Sequence, residues 1–272
     1  MSLKDILVHV DTTQAGEARL EFAVRLARRV GACLSGVFVL PPPDPPIVAP
    51  EVGPVVIDFT ATLAALEREA HLAEEKFKAT LKRDGVHGEW HRERGPAATM
   101  VSRRARAADL VILGQVDPDH PSGLDTPEDV VLSCGRPVLL VPYAGRFERV
   151  GETVLAAWNG SREATRALHD ALPLMTVASS SVTVLSVNPG PDSAPDEGLV
   201  QHLERHGLKA NKEVDVVDEI DVADDILSRA ADLGADLIAM GAYSHSRLRE
   251  LILGGTTRAI LEHMTVPVLM SR

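Results

Sequence analysis

Apolar and polar positions along this chain follow two alternating rhythms. "DILVHVD" (residues 5–11) is a compact apolar run of strand length. In "AGEARLEFAVRLARRVG" (15–31), Leu20, Ala23, Val24 and Ala27 recur at three- and four-residue steps, the spacing of an amphipathic helix, and Gly31 supplies a stop. "CLSGVFVL" (33–40) reads as a strand and "TATLAALEREAHLAEEKFKATLKRDG" (60–85) as a long helix ended by Gly85. "GEWHRERG" (88–95) alternates like a strand, and "PAATMVSRRARAA" (96–108) is a helix with Pro96 near its first turn. "DLVILG" (109–114) is apolar on both faces, as a central parallel strand is. Strand–helix alternation of this kind implies right-handed crossovers and a doubly wound parallel sheet.

The pattern is written twice. "KDILVHVDTTQAGEA" matches "ETVLAAWNGSREATRA", with Ile6 on Val154, Leu7 on Leu155 and Asp11 on Asn159. "GVFVLPP" (from Gly36) is set on "TVLSVNP" (from Thr183), "AADLVILG" on "GADLIAMG", and "RPVLLVP" on "VPVLMSR". Four apolar segments in one order in each half predict an α/β protein of two tandem doubly wound parallel-sheet domains related by an internal pseudo-two-fold. The polar segment "PYAGRFERVGE" (142–152) places the division at residues 1–145 and 146–272. The second half carries a shorter second helix, "DEGLVQHLERHG".

Composition agrees with this layout. Hydrophobic residues make up 45 % of the 272 and aromatics only 3 %, a balance that suits parallel sheets under helices. The net charge of −11 argues against a nucleic-acid partner. Cys33 and Cys134 form neither a disulfide framework nor a metal spacing, and both are expected in the interior. The start lacks the apolar core of a signal peptide, and no apolar run approaches the roughly 20 residues that span a bilayer. The expected setting is therefore the cytoplasm, without a membrane.

Ligands of doubly wound sheets bind beyond the carboxyl ends of the strands. In the second half the loops "WNGS" (Asn159, Gly160, Ser161), "VNPG" (Val187 onward) and "GAYS" (after Met240 and Gly241) converge there. "LGGTT" then leads into the last helix. The amide groups at a helix start have no intrahelical partners, and the helix dipole favours an anion. Gly254 and Gly255 permit close approach, Thr256 and Thr257 offer hydroxyls, and Ser244, Ser246 and Arg247 lie on the approach. The same turn serves equally well as an ordinary N-cap.

"AAWNGSREATRAL", "ADLIAMGAYSHSRLRELILGGTTRAIL" and "VPVLM" together resemble the universal stress protein family in its tandem form, most clearly in the second half. Nucleotide-binding members of that family carry Gly-x2-Gly-x9-Gly-(Ser/Thr). Gly241 matches the first glycine and Gly254 the third, Ser244 replaces the second, and Gly255 stands where Ser or Thr is expected. The family's first-strand Asp is Asn159 here. The resemblance implies ATP or another adenine nucleotide, with or without Mg²⁺, and the base near the ends of the first and second strands. It also implies joining of the two halves through their last strands; association into a homodimer stays open.

The first half departs further. Only 22 residues separate Gly114 from Pro137, against 25 between Gly241 and Pro267, and the segment has Asp117, Asp119, Asp125, Glu128 and Asp129 where a phosphate would sit. Carboxylates repel phosphate, so this half is expected to bind no nucleotide. Other signals read as scaffold: "DPDHP" as a solvated turn, the Pro-rich stretch 41–56 as a stiff loop, "EWHRERG" and "RRARAA" as solvated faces, and His9 and His169 as packing residues. Ser161 has no committed His and no nucleophile elbow. Three readings stand: a regulatory nucleotide binder with at most slow hydrolysis, a nucleotide-free protein acting through protein contacts, and a nucleotide-dependent enzyme.

Overall fold

A computed structural model describes residues 2–42, 48–49, 53–54, 60–119, 127–175, 180–191, 193–218, 220–243 and 255–272. The first half runs β1 (Asp5–His9), α1 (Gln14–Val30), β2 (Cys33–Leu40), the two-residue strands β3 (Val48–Ala49) and β4 (Gly53–Pro54), α2 (Thr60–Asp84), β5 (Gly88–Arg94), α3 (Ala97–Ala105), β6 (Leu110–Gly114), α4 (Pro127–Ser133) and β7 (Val138–Val141). The second runs β8 (Thr153–Ala157), α5 (Arg162–Met175), β9 (Ser181–Val187), α6 (Glu197–Arg205), β10 (Lys209–Asp215), α7 (Val222–Asp232), β11 (Leu237–Gly241), α8 (Gly255–His263) and β12 (Val268–Ser271). Local signals explain the ends. Thr13 caps α1 by accepting from the Gly16 amide, and Gly31 closes it at φ 68°, a conformation glycine adopts without strain.

The two halves do not form separate sheets. One ten-stranded sheet runs β10-β9-β8-β11-β12-β7-β6-β1-β2-β5. In this sheet the strands within each half are parallel, and the halves join where β12 meets β7 antiparallel; β3 and β4 pair antiparallel apart from it. Leu269 lies opposite Leu139 at that joint. These two residues are each other's counterparts in "RPVLLVP" and "VPVLM", so the pseudo-two-fold axis passes between them. The joint also removes one open edge from each five-stranded sheet.

The repeat is deeper than its apolar runs. Asp109 accepts the Lys4 and Asp5 amides, and Asp236 accepts the Gly151, Glu152 and Thr153 amides. The Asp of each "ADL" segment thus brackets the start of its half's first strand. One sequence pairing slips by a residue. Asp5 is opposite Cys33 and Thr153 opposite Ser181, so the counterpart of Gly36 is Val184 and not Thr183.

Helices cover both faces. One face packs α1, α2, α5 and α6 through Phe22, Leu26, Phe77, Leu168, Leu174 and Leu203; the other packs α3, α4, α7 and α8 through Val101, Val130, Ile226 and Ile260. Gln115 fastens the halves together. Its side-chain amide donates to the Leu261 and Glu262 carbonyls at the end of α8 and accepts from the Tyr143 amide. Cys134 is buried as expected, whereas Cys33 is only half-buried; both are free thiols. The basic stretches are ion-paired rather than merely solvated: Arg103 and Arg104 hold Glu93, and Arg92 and Arg94 hold Glu67. Among the described residues no helix is long and apolar enough to cross a membrane.

Candidate functional site

In the second half the strand order reverses between β8 and β11. A crevice must open where consecutive crossovers leave in opposite directions. A cavity of about 440 Å³ lies there. Its walls come from the end of β8 and the loop after it (Ala157, Trp158, Asn159), the end of β9 and its loop (Val187, Asn188, Ser193), α7 (Val222, Ile226), the end of β11 (Met240, Gly241) and the first turn of α8 (Gly255, Thr256, Thr257). The volume falls in the range of small-molecule sites. A larger groove of about 780 Å³ runs along α1, but Glu17, Glu21, Arg25, Lys76 and Arg146 line it with mixed charge.

Seven of the sequence-predicted residues therefore meet at one cavity: Asn159, Val187, Met240, Gly241, Gly255, Thr256 and Thr257. Gly160 and Ser161 do not line it. Gly160 (φ 72°) packs against Ser193, and the Ser161 hydroxyl donates to Asn159 Oδ1 and accepts the Ala164 amide at the start of α5. Ser161 is thus a helix cap, its hydroxyl already committed. Ser244, Arg247 and Gly254 lie outside the described residues, as do His120, Asp125 and most of the Pro-rich stretch.

The wall is two-natured. Val187, Val222, Ile226 and Met240 make an apolar slot that would suit a planar base. Asn159, Asn188, Ser193 and Thr256 offer polar groups along its rim, and the α8 start offers backbone amides. Asn188 (φ 48°) ties the ends of β9 and β10 by exchanging side-chain hydrogen bonds with Val217, which fixes this rim. Thr257 is buried, and its hydroxyl oxygen stands 3.5 Å from the Tyr243 amide. Tyr243 sits at φ 57°, uncommon for a bulky residue. Its hydroxyl is buried without a partner among the described residues; burial, reinforced by Glu128 and Asp129, pushes it up to about 12. Sequence patterning gave no sign of Val222, Ile226 or Ser193, because it does not reveal which helix or loop roofs a crevice.

Gly241 has a packing explanation as well. A β-carbon there would stand 2.5 Å from the Ala164 amide nitrogen and 2.6 Å from the Glu163 carbonyl carbon. The first turn of α5 rests on the bare Cα of Gly241, so this glycine fits the helix to the sheet whatever occupies the cavity.

The first half has rebuilt the same place. His9 takes the position of Ala157, and its side chain is 3 % exposed. Burial, and next the Arg19 cation, hold His9 at about 4, against the partial pull of Asp11. Asp11 follows the opposite logic. Burial would raise its carboxyl, but Arg19, His9 and the Thr13 hydrogen bonds outweigh it and hold it at about 2. Arg19 donates to the His9 carbonyl at 2.9 Å and to Asp11 at 2.5 Å, beside Gly114. A cavity of about 370 Å³ remains there, lined by His9, Asp11, Thr13, Phe38 and Leu66 but by no residue of β6.

His9 yields a pH prediction. Its folded value is depressed below 6.5, so its contribution is complete above 6.5 and is lost as pH falls towards 4. Between pH 7 and pH 5 the protein is expected to lose about 2 kcal/mol through this group. Urea midpoints at the two pH values check this: His9→Asn should flatten the difference, and an unchanged difference would refute the assignment.

Comparison with known proteins decides the kinship. The sequence model of the universal stress protein family matches residues 2–142 and again 152–272. The chain belongs to the universal stress protein family. A universal stress protein of Synechocystis sp. (strain ATCC 27184 / PCC 6803 / Kazusa) is 31 % identical over 149 residues, 53 % of this chain and 50 % of that protein. The match thus spans about half of that relative's length. A universal stress protein of Archaeoglobus fulgidus DSM 4304 has the same fold over 100 % of this chain and 97 % of its own, at TM-score 0.79 and 16 % identity. A putative universal stress protein from Pseudomonas aeruginosa UCBPP-PA14 aligns over 99 % of this chain and 93 % of its own, at TM-score 0.59 and 18 % identity. At those identities the likeness speaks for the family fold, repeated in tandem along one chain.

Proposed function

We propose that this universal stress protein binds one adenine nucleotide, ATP or AMP, in the crevice of its second half, and that binding serves a regulatory role. The observation that carries this reading is the meeting of an apolar slot with the amide-rich start of α8 at the β8–β11 reversal. The base would lie against Val187, Ile226 and Met240, and the phosphates at Gly255, Thr256 and Thr257. Magnesium would ride on the phosphates, since the described wall offers it no carboxylate. Among the described lining residues there is likewise no carboxylate, imidazole or amine to move a proton, which favours holding a nucleotide over turning it over. In the first half His9 and the Asp11–Arg19 pair occupy the corresponding place, and we assign that half a structural role with no nucleotide. The division near residue 145 is part of the same reading.

The test is direct. Mass spectrometry of protein purified without added nucleotide, followed by calorimetric titration with ATP–Mg²⁺ and AMP, should show one nucleotide per chain. Absence of binding at millimolar nucleotide would leave the nucleotide-free reading, in which the protein acts through contacts with other proteins.

A further inference from the structure

The outer surface of the second half carries three imidazoles in one cluster. His169 on α5 faces His202 on α6 with their Nε2 atoms 3.1 Å apart. His206 follows His202 by four residues, one helical turn on, and its ring stands edge-on to His202 with centroids 4.8 Å apart. Sequence patterning assigned His169 to packing; the structure places it on the exposed face of α5.

The hydrogen bonds fix which nitrogen faces which. His169 Nδ1 lies 2.8 Å from the Thr165 carbonyl, which can only accept, so Nδ1 carries the proton. In the neutral ring the lone pair is then on Nε2 and points at His202. A ring nitrogen aimed outward while the other donates to a backbone carbonyl is the arrangement that orients histidine for a metal. Spacing agrees too. Two nitrogens about 2.0–2.1 Å from one tetrahedral zinc lie roughly 3.3–3.4 Å apart, within a few tenths of an ångström of the pair seen here.

We propose that His169 and His202 chelate one transition-metal cation through their Nε2 atoms. The cation would be of the kind that prefers imidazole, such as Zn²⁺, Cu²⁺ or Ni²⁺. Among the described residues no three ligating side chains already converge on one point. The site is therefore a two-histidine chelate completed by water, with a third imidazole, His206, adjoining. Binding requires the His202 Nε2 proton to leave that nitrogen, and the metal takes the place of the hydrogen bond between the rings. The cation would clamp α5 to α6, the helix entered from the loop of Asn188 and Ser193. This inference is independent of the nucleotide reading.

Zinc alone is the probe. Calorimetric titration of the full chain, free of nucleotide, should show one zinc more for wild type than for His169→Gln/His202→Gln. Each single substitution should weaken that site at least about tenfold. Zinc should raise the thermal midpoint of wild type more than that of the double variant. His169 is exposed and His202 half-exposed, so the variants should keep the wild-type circular dichroism. Equal zinc stoichiometry and affinity in wild type and double variant would overturn the proposal.

Discussion

Gly255→Asp is expected to weaken nucleotide binding by about a hundredfold and to leave the fold intact. Gly255 begins α8 and lines the cavity, and a β-carbon added there meets no atom of the described residues within 4 Å. Its φ lies outside the left-handed range, so the backbone tolerates a side chain. A carboxylate at a helix start is favourable to the helix itself, so the thermal midpoint should stay or rise slightly. The bound phosphate would feel a second negative charge. Two unit charges about 4 Å apart at an effective dielectric constant of ~20 repel by about 4 kcal/mol. Solvent at an open rim screens part of that, leaving about 2–3 kcal/mol, which is roughly a hundredfold in affinity. Gly255→Ala is the control and should bind almost as wild type, since it adds bulk without charge. If Gly255→Asp binds ATP as tightly as wild type, the phosphates do not sit at α8, and the orientation proposed above is wrong.

Much of this could be read from the chain because the signals were periodic and repeated. Strand runs such as "DLVILG" and caps such as Gly31 are local, and the sheet is assembled by topology rules that act on element order alone. Asn159, Val187, Met240 and Gly241 could be placed at one edge for that reason: each ends or follows a parallel strand of the same half. What could not be read depends on side-chain geometry. Ser161 looked like a ligand group, yet a hydroxyl two residues after Asn159 at a helix start is taken by capping. Pairing Gly36 with Thr183 slipped by one because both segments are continuous apolar runs, without the alternation that fixes register. His169 was read as a packing residue on a helix pattern, but a 100° turn per residue carries it to the surface beyond the buried Ala167 and Leu168. The first half's expected lack of a nucleotide was attributed to loop acids. The structure adds a change in the floor, His9 for Ala157, which a sequence shows only once the strand faces are known.

Arg19→Ala is expected to destabilise the protein by about 3–5 kcal/mol, because it strands a buried carboxylate. Arg19 is 3 % exposed and the Asp11 side chain 10 %, so water from the adjoining cavity can replace only part of the missing partner. The internal repeat supplies the remedy. At the matching places the second half has Asn159 and Ala167, an uncharged pair in the same fold. Asn159 Oδ1 accepts the Ser161 amide and hydroxyl, as Asp11 Oδ1 accepts those of Thr13. An amide therefore keeps the cap without needing a counter-ion. Asp11→Asn/Arg19→Ala should accordingly recover most of the loss, leaving about 1–2 kcal/mol for the packing of the Arg19 stem. The single variant should also let the Asp11 carboxyl rise from about 2, since its largest stabilising partner is gone. Chemical denaturation of the wild type, both single variants and the double variant closes the cycle. Should the double variant prove no more stable than Arg19→Ala, the guanidinium would be acting by volume alone. The charge pair would then be a by-product of filling the space beside Gly114.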